Sequence, residues 1–267
     1  MDWSILLWSA LAVAAVMVIA WGVSLTLRDA SIVDPVWPLG FVIVGWVAGL
    51  TGRGDGLRVT VLIALVTVWG VRLSWHLFSR WQGQGEDFRY AAMRERHGDR
   101  FWLISLVTVF GTQGLLMWIV SLPLQLGSGI DGRGSAWVVL LVVGVAVWAL
   151  GFVFESVGDA QLAAFKADPA SKGQVMDHGL WRYTRHPNYF GDACVWWGIF
   201  LVAAGAGGWA WIAVIGPVVM TVLLRRVSGV TLLEKGMAER RPGYVDYVRR
   251  TSPFVPRRPA PSSRSPN

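Results

Sequence analysis

Charge is scarce in this chain, and thiols are scarcer. Of its 267 residues 15% are charged and 54% hydrophobic, with a mean hydropathy of +0.48. A soluble domain carries about a quarter charged residues, so water is not the expected solvent. The single cysteine, Cys194, rules out an intramolecular disulfide and any multi-cysteine metal site. The four histidines, His76, His97, His178 and His186, form neither an HExxH pattern nor a paired spacing with carboxylates, so no metal is expected. No basic region precedes the first apolar run, which is uncharged from Trp3 to Leu27. That run reads as a mature helix and not as a secretory signal.

What the chain has in quantity is long apolar runs. A membrane-spanning helix needs about 20 mostly apolar residues, and such runs lie near 4–26, 33–51, 57–78, 101–123 and 134–154. The uncharged stretch from Ala193 to Leu224 would be about 48 Å long as one helix, against a hydrocarbon core of about 30 Å. It is expected to break at Ala204-Gly-Ala-Gly-Gly208, where glycine disfavours a helix interior and eases a turn. The expectation is an all-α polytopic membrane protein with seven transmembrane helices, the N-terminus outside and the C-terminus cytoplasmic.

Charge sorts with that topology. Twenty of the 24 Lys and Arg then fall on the inner side, Arg53, Arg58 and Arg133 fall outside, and Arg72 lies within the third helix. A six-span arrangement would split the basic segments between the two faces, against the positive-inside tendency. The net charge of +7 is therefore read as loop charge facing membrane lipids, with no nucleic acid as partner. Residues 1–256 form one transmembrane domain in this reading. Residues 257–267, rich in Pro, Ser and Arg, form a disordered basic tail.

Ionisable groups inside hydrocarbon are costly and usually face a cavity or a partner. Arg72, His76 and Arg80 recur four residues apart and make one polar stripe, either lining a cavity or snorkelling to the headgroups. Glu155 and Asp159 share one face at the inner end of the fifth helix, where the helix dipole disfavours carboxylates unless something polar compensates them. The segment HGLWRYTRHPNYFGD, His178 to Asp192, gathers Arg182, Tyr183, Arg185, His186, Asn188 and Tyr189 before the sixth helix. Donors at a helix start suit a phosphate. All five tyrosines, Tyr90, Tyr183, Tyr189, Tyr244 and Tyr247, fall in inner-side segments, whereas an interfacial belt would occupy both faces.

On the RHPNYFG core, the sequence resembles a membrane superfamily that includes steroid 5α-reductases, sterol reductases and isoprenylcysteine carboxyl methyltransferases. Glu155, Asp159 and Lys166 before that core, and LLEKGMAERRPGYVDYVRRTSPFVP after it, narrow the resemblance to the 5α-reductase-like branch and its bacterial relatives. The resemblance implies an NADPH-dependent enzyme that reduces the carbon–carbon double bond of an enone by hydride transfer. Its cofactor faces the cytoplasm, and its hydrophobic substrate enters from the bilayer. It also implies that Asp159, Lys166, Tyr183 and Asn188 occupy cofactor-contacting positions, and that Tyr247 matches a tail tyrosine. Glu155 stands where the steroid enzymes have asparagine, and Glu234 where they have tyrosine. Arg72 aligns with a cofactor-contacting arginine, followed at a fitting distance by Glu86, Asp87, Arg89 and Tyr90. Arg80, Arg182, Arg185, His186, Tyr189, Arg226 and Tyr244 complete the candidate cofactor set.

Steroid enzymes hold the substrate ketone with a glutamate and a tyrosine from their N-terminal half. Here the nearest acid is Asp34, in SIVDPVWPLGF, which is either a carbonyl-polarising acid or a helix N-cap or turn residue before Pro35. With Arg72 it makes up the candidate catalytic pair. An S-adenosylmethionine-dependent methyltransferase acting on a lipid or prenylated substrate is the alternative, which RHPNYFG and Glu234 also permit. A transporter fits less well, since the chain shows no internal repeat and its polar clusters lie at one side.

Overall fold

A computed structural model describes residues 3–227, 234 and 236–260. It is all-helical, with no strand among the described residues. Six helices among these residues are long and apolar enough to cross a membrane: Ser4–Leu27, Ala30–Thr51, Gly56–Trp81, Phe88–Val120, Trp137–Ala167 and Gly208–Arg226. The protein is thus a multi-pass membrane protein. Its backbone divides into two units, Met1–Val145 with Ile199–Gly216, and Ala146–Gly198 with Pro217–Asn267.

In the first unit, α1 (Ser4–Leu27) buries Ile5, Ser9, Val13, Met17, Ala20 and Ser24 and leaves its other sides apolar and exposed. The buried spacing of three to four residues is one helical stripe. In lipid the outward faces need no polar cover, so small residues and van der Waals fit decide which faces meet. α2 (Val33–Thr51) and α3 (Gly56–Trp81) show this. A Cβ on Gly70 would stand 2.8 Å from the carbonyl oxygen of Pro38, and one on Gly45 2.7 Å from Val66. Phe41 and Trp69 are fully buried there, ring to ring at 5.8 Å.

Next come α4 (Phe88–His97), α5 (Phe101–Ser105), a π-helical stretch Leu106–Gly111 and α6 (Thr112–Val120). Ser121 interrupts the helix before α7 (Leu122–Gly129), whose residues from Pro123 to Gly129 are all buried. The carbonyls at its end are gathered by one side chain. Arg58 donates from Nε to Gly127 O at 2.9 Å, from Nη1 to Gly132 O at 2.8 Å, and from Nη2 to Ile130 O.

The second unit rests on α8 (Trp137–Ala167) and α9 (Pro187–Ala204). Within it a Cβ on Gly151 would lie 2.5 Å from Gly191 O, and one on Gly158 3.1 Å from Asn188 N. Backbone therefore meets backbone. Glycine is required because any side chain would force the helices apart. Phe165, Met176 and Trp181 form a small apolar cluster at the end of α8. α9 stops at Ala204, as expected, in a turn where Gly207 and Gly208 take φ of 75° and 53°. α10 (Ile215–Val222), α11 (Met237–Arg240) and α12 (Tyr244–Arg250) follow. Of the expected tail, Arg257 N donates to Tyr183 O and Ala260 N to Arg250 O. Residues 261–267 lie outside the described residues.

Candidate functional site

Polar residues collect in two clusters, one in each unit. In the second unit, the glycine contacts of α8 and α9 bring the α8 face bearing Glu155 and Asp159 against the start of α9. Glu155 is 2% and Asp159 7% exposed. Asn188, in the first turn of α9, donates from Nδ2 to Asp159 Oδ1 at 3.1 Å. The expectation that the two acids stand at the end of their helix is not met: α8 runs on to Ala167, more than two turns past Asp159, so both lie inside the helix and clear of its C-terminal dipole. Buried there, they persist only where polar groups offset their desolvation. This pair of acids with an amide beside it offers acceptors for hydroxyl groups and a donor for a carbonyl.

Arg185 and His186 are engaged elsewhere. Arg185 donates from Nε to Glu234 Oε1 at 2.8 Å and from Nη2 to Oε2 at 3.1 Å, and its Nη1 reaches Val248 O and Thr251 O. His186 Nε2 lies 3.0 Å from Glu234 Oε1, and the Tyr189 ring stacks on the imidazole at 5.5 Å. Because an ionised carboxylate only accepts, His186 presents an N–H at Nε2. Burial alone would raise the Glu234 pKa, but the hydrogen bonds from His186 and Arg185 outweigh it and hold the group below the usual carboxylate range. Tyr247 donates to Trp181 O at 2.6 Å, and Thr184 Oγ1 donates to Phe254 O at 2.8 Å. Burial pushes Tyr244 up to about 12 and Tyr247 further up, so both stay neutral at physiological pH. This half of the motif straps the C-terminal segment to the start of α9. Arg182, Tyr183, Lys166 and Arg226 are exposed.

In the first unit the cluster begins with a clasp. Glu86 Oε1 accepts from Ala30 N at 2.8 Å, and both its oxygens pair with Arg94, at 2.8 and 2.7 Å. Asp87 N donates to Ser31 Oγ, while the Asp87 carboxylate caps α4 and holds Arg89 Nε at 2.8 Å. Burial would raise the Asp87 pKa, yet its bonds to Arg89 bring it below the ordinary value. With the loop pinned to the turn before α2, the next two residues meet Asp34. Arg89 Nη2 is 3.4 Å from Asp34 Oδ2, and the Tyr90 hydroxyl is 3.2 Å from Asp34 Oδ1.

Asp34 lies in the first turn of α2, whose N-cap is Ile32, so its carboxylate serves Tyr90 and Arg89 and not the helix end. Gln113, which composition and motif reading passed over, donates from Nε2 to the Tyr90 oxygen at 3.2 Å. Its signal in the sequence was an amide inside an apolar span. The π-helical stretch before it adds a residue, which turns the following face by about 100°. Since the phenol oxygen accepts from Gln113, its one proton is directed at Asp34. Such a proton can be redirected to a carbonyl oxygen. On α3, Ser74 Oγ donates to Pro35 O at 2.7 Å beside this site. Arg72 and His76 are half-buried on their common face and Arg80 is exposed.

Residues 20–251 match the profile of a family described as "Protein of unknown function (DUF1295)". The chain belongs to this family. The DUF1295 match takes in both polar clusters, from Asp34 to Tyr247. An uncharacterized protein of Schizosaccharomyces pombe, C594.04c, is 25% identical over 279 residues, covering 90% of this chain and 76% of the yeast protein. No solved structure gives a significant match.

Proposed function

We propose that this protein is an NADPH-dependent membrane oxidoreductase that reduces the carbon–carbon double bond of a lipidic or steroid-like enone. The observation that carries the reading is the Asp34–Tyr90–Gln113 chain, a hydroxyl with a carboxylate on one side and an amide on the other. Reduction of an enone develops negative charge on the carbonyl oxygen, and a preplaced O–H there stabilises it. Tyr90 supplies that hydrogen bond, Gln113 orients it, and Asp34 with Arg89 keeps the local charge balanced. NADPH, when bound, supplies the hydride that goes to the β-carbon.

The second unit has the residue types such a cofactor needs. Glu155 and Asp159 suit ribose hydroxyls, Asn188 suits a carboxamide, and Lys166, Arg182 and Arg226 suit phosphates. The methyltransferase alternative draws on Glu234 to receive the ammonium of the methyl donor. Both Glu234 oxygens are already taken by Arg185 and His186, which weighs for the reductase.

We also infer seven spans, with α9 as the sixth and the C-terminus cytoplasmic. The 18 residues of α9 extend about 27 Å, close to the hydrocarbon thickness. Seven spans keep the basic segments on one side.

The test is calorimetric titration of detergent-purified protein with NADPH and, separately, with S-adenosylmethionine, for wild type and Asn188→Ala. Micromolar NADPH binding that weakens at least about tenfold in the variant, or about 1.4 kcal/mol, is the expected result. Binding of the methyl donor alone would sink the proposal.

A further inference from the structure

The segment after α12 is anchored at the end of a membrane-crossing helix. Gly208–Arg226 is long and apolar enough to cross, and Arg225 is the first charged residue after its uncharged run up to Leu224. The Arg225 guanidinium stands over the Phe254 ring at 5.4 Å, and Phe190 of α9 meets the same ring edge-on at 6.1 Å. Phe254 is buried there. Its segment therefore lies where the apolar run gives way to water, at headgroup depth. From that anchor the chain is tied back to α12, with Arg257 N donating to Tyr183 O and Ala260 N to Arg250 O. The surface so made is basic and apolar together. Arg249, Arg257 and Arg258 are exposed, and none of them pairs with a carboxylate among the described residues. The neighbouring acids, Asp177 and Asp246, are both held by Arg250, at 2.7 and 3.0 Å. Val245, one turn before Arg249 on α12, and Val255, two residues before Arg257, are 50% and 51% exposed.

We propose that this face docks on the headgroups of anionic phospholipids. Guanidinium forks match phosphodiester oxygens bidentately. At the edge of a bilayer the two valines enter the acyl boundary while the arginines remain among the phosphates, an arrangement in which apolar burial and charge add. Three unpaired cations favour a headgroup of net negative charge over a zwitterion, whose ammonium they repel. None of the three arginines belongs to the candidate cofactor set, so the surface is separate from the nucleotide reading and stands whichever reaction the protein performs.

The experiment uses full-length protein in dodecyl maltoside, with dioleoylphosphatidylglycerol as the anionic probe, dioleoylphosphatidylcholine as the zwitterionic one and polyglutamate as a stand-in for an acidic protein. Lipid binding is followed by native mass spectrometry and polyglutamate by calorimetry. Arg249→Gln/Arg257→Gln/Arg258→Gln is compared with Arg53→Gln/Arg96→Gln/Arg100→Gln, which removes the same charge from exposed arginines of the other unit. Each arginine at an anionic surface contributes about fivefold, so the first triple should weaken phosphatidylglycerol binding at least about tenfold and the second less than about twofold. Phosphatidylcholine binding and NADPH affinity should stay within about twofold of wild type in both. Equal effects of the two triples, equal loss of both lipids, or a wild type with no preference for the anionic lipid overturns the proposal. Retention of polyglutamate without that preference also overturns it and assigns the face to an acidic protein. A parallel fall in NADPH affinity overturns it by placing the arginines in the cofactor site. If the first triple melts early, hydrogen exchange of the wild type decides. Phosphatidylglycerol, and not phosphatidylcholine, should slow exchange over residues 244–260, and unchanged exchange overturns the proposal.

Discussion

The carboxylates at the centre of the two polar clusters are held in opposite ways. Glu234 is gripped by three donors at 2.8 to 3.1 Å, from Arg185 and His186, whose side chains are 10% and 8% exposed. Asp34 is approached at 3.2 and 3.4 Å, with its side chain 32% exposed and its phenol partner shared with Gln113. Short, saturated bonds to a buried guanidinium make a strut, because any ligand would have to break them. Longer bonds near a partly open carboxylate leave a proton free to change partners, and such bonds in a ligand-free enzyme commonly tighten only on binding. The same residue type thus serves as fastening in one unit and as a candidate reactive group in the other.

The largest effect expected on this contrast is in catalysis. Tyr90→Phe removes the phenol proton and should lower enone reduction by roughly 100- to 10,000-fold, with a melting temperature close to wild type. A variant that melts early but turns over normally would make Tyr90 a strut too. Glu234→Ala should do the reverse. It strands the buried Arg185 guanidinium and should cost about 3 kcal/mol of stability, measured by thermal melting in detergent.

A smaller effect tests the contact on which the second cluster stands. Gly191→Ala inserts a Cβ between the α8 and α9 backbones and should cost roughly 1–3 kcal/mol as overpacking. It should also weaken NADPH binding, since Asp159 and Asn188 would part. Gly22→Ala, inside α1 with nothing within 4 Å of its Cβ, should lower neither.

The smallest effect is in pH. Glu234 has a folded pKa below its unfolded value of about 4.3. Its stabilisation is therefore present above about pH 4.3 and is lost as pH falls through the lower folded value. The gap in melting temperature between wild type and Glu234→Gln should close on acidification through that window. A gap that stays constant down to pH 3 would show that the carboxylate charge contributes nothing.

Much of this protein is decided locally. Apolar runs of about 20 residues become helices in a bilayer because only a helix satisfies its own backbone there. The breaks at Ala204–Gly208 and before Pro187 follow from glycine and proline alone. The proximity of Glu155 to Asp159 is also local, one helical turn on one face. Residues close in sequence meet whatever the tertiary packing, so the motif from His178 to Asp192 could be read as a polar helix start without a structure.

Tertiary structure alone decided the rest. Asp34 and Tyr90 are 56 positions apart, and they meet because Glu86 and Asp87 fasten a loop to the turn before α2. Gln113 joins them from a span whose register a π-helical stretch has shifted. No periodicity announces such a meeting, since helix order in a bundle is set by side-chain fit between apolar faces of nearly equal hydrophobicity. Within the RHPNY motif, sequence could not tell which polar groups are fastened and which are accessible. Arg185 and His186 close on Glu234, nearly fifty residues later, while Asn188 turns to Asp159. Pairing chooses among the polar groups, and pairing is a property of the fold.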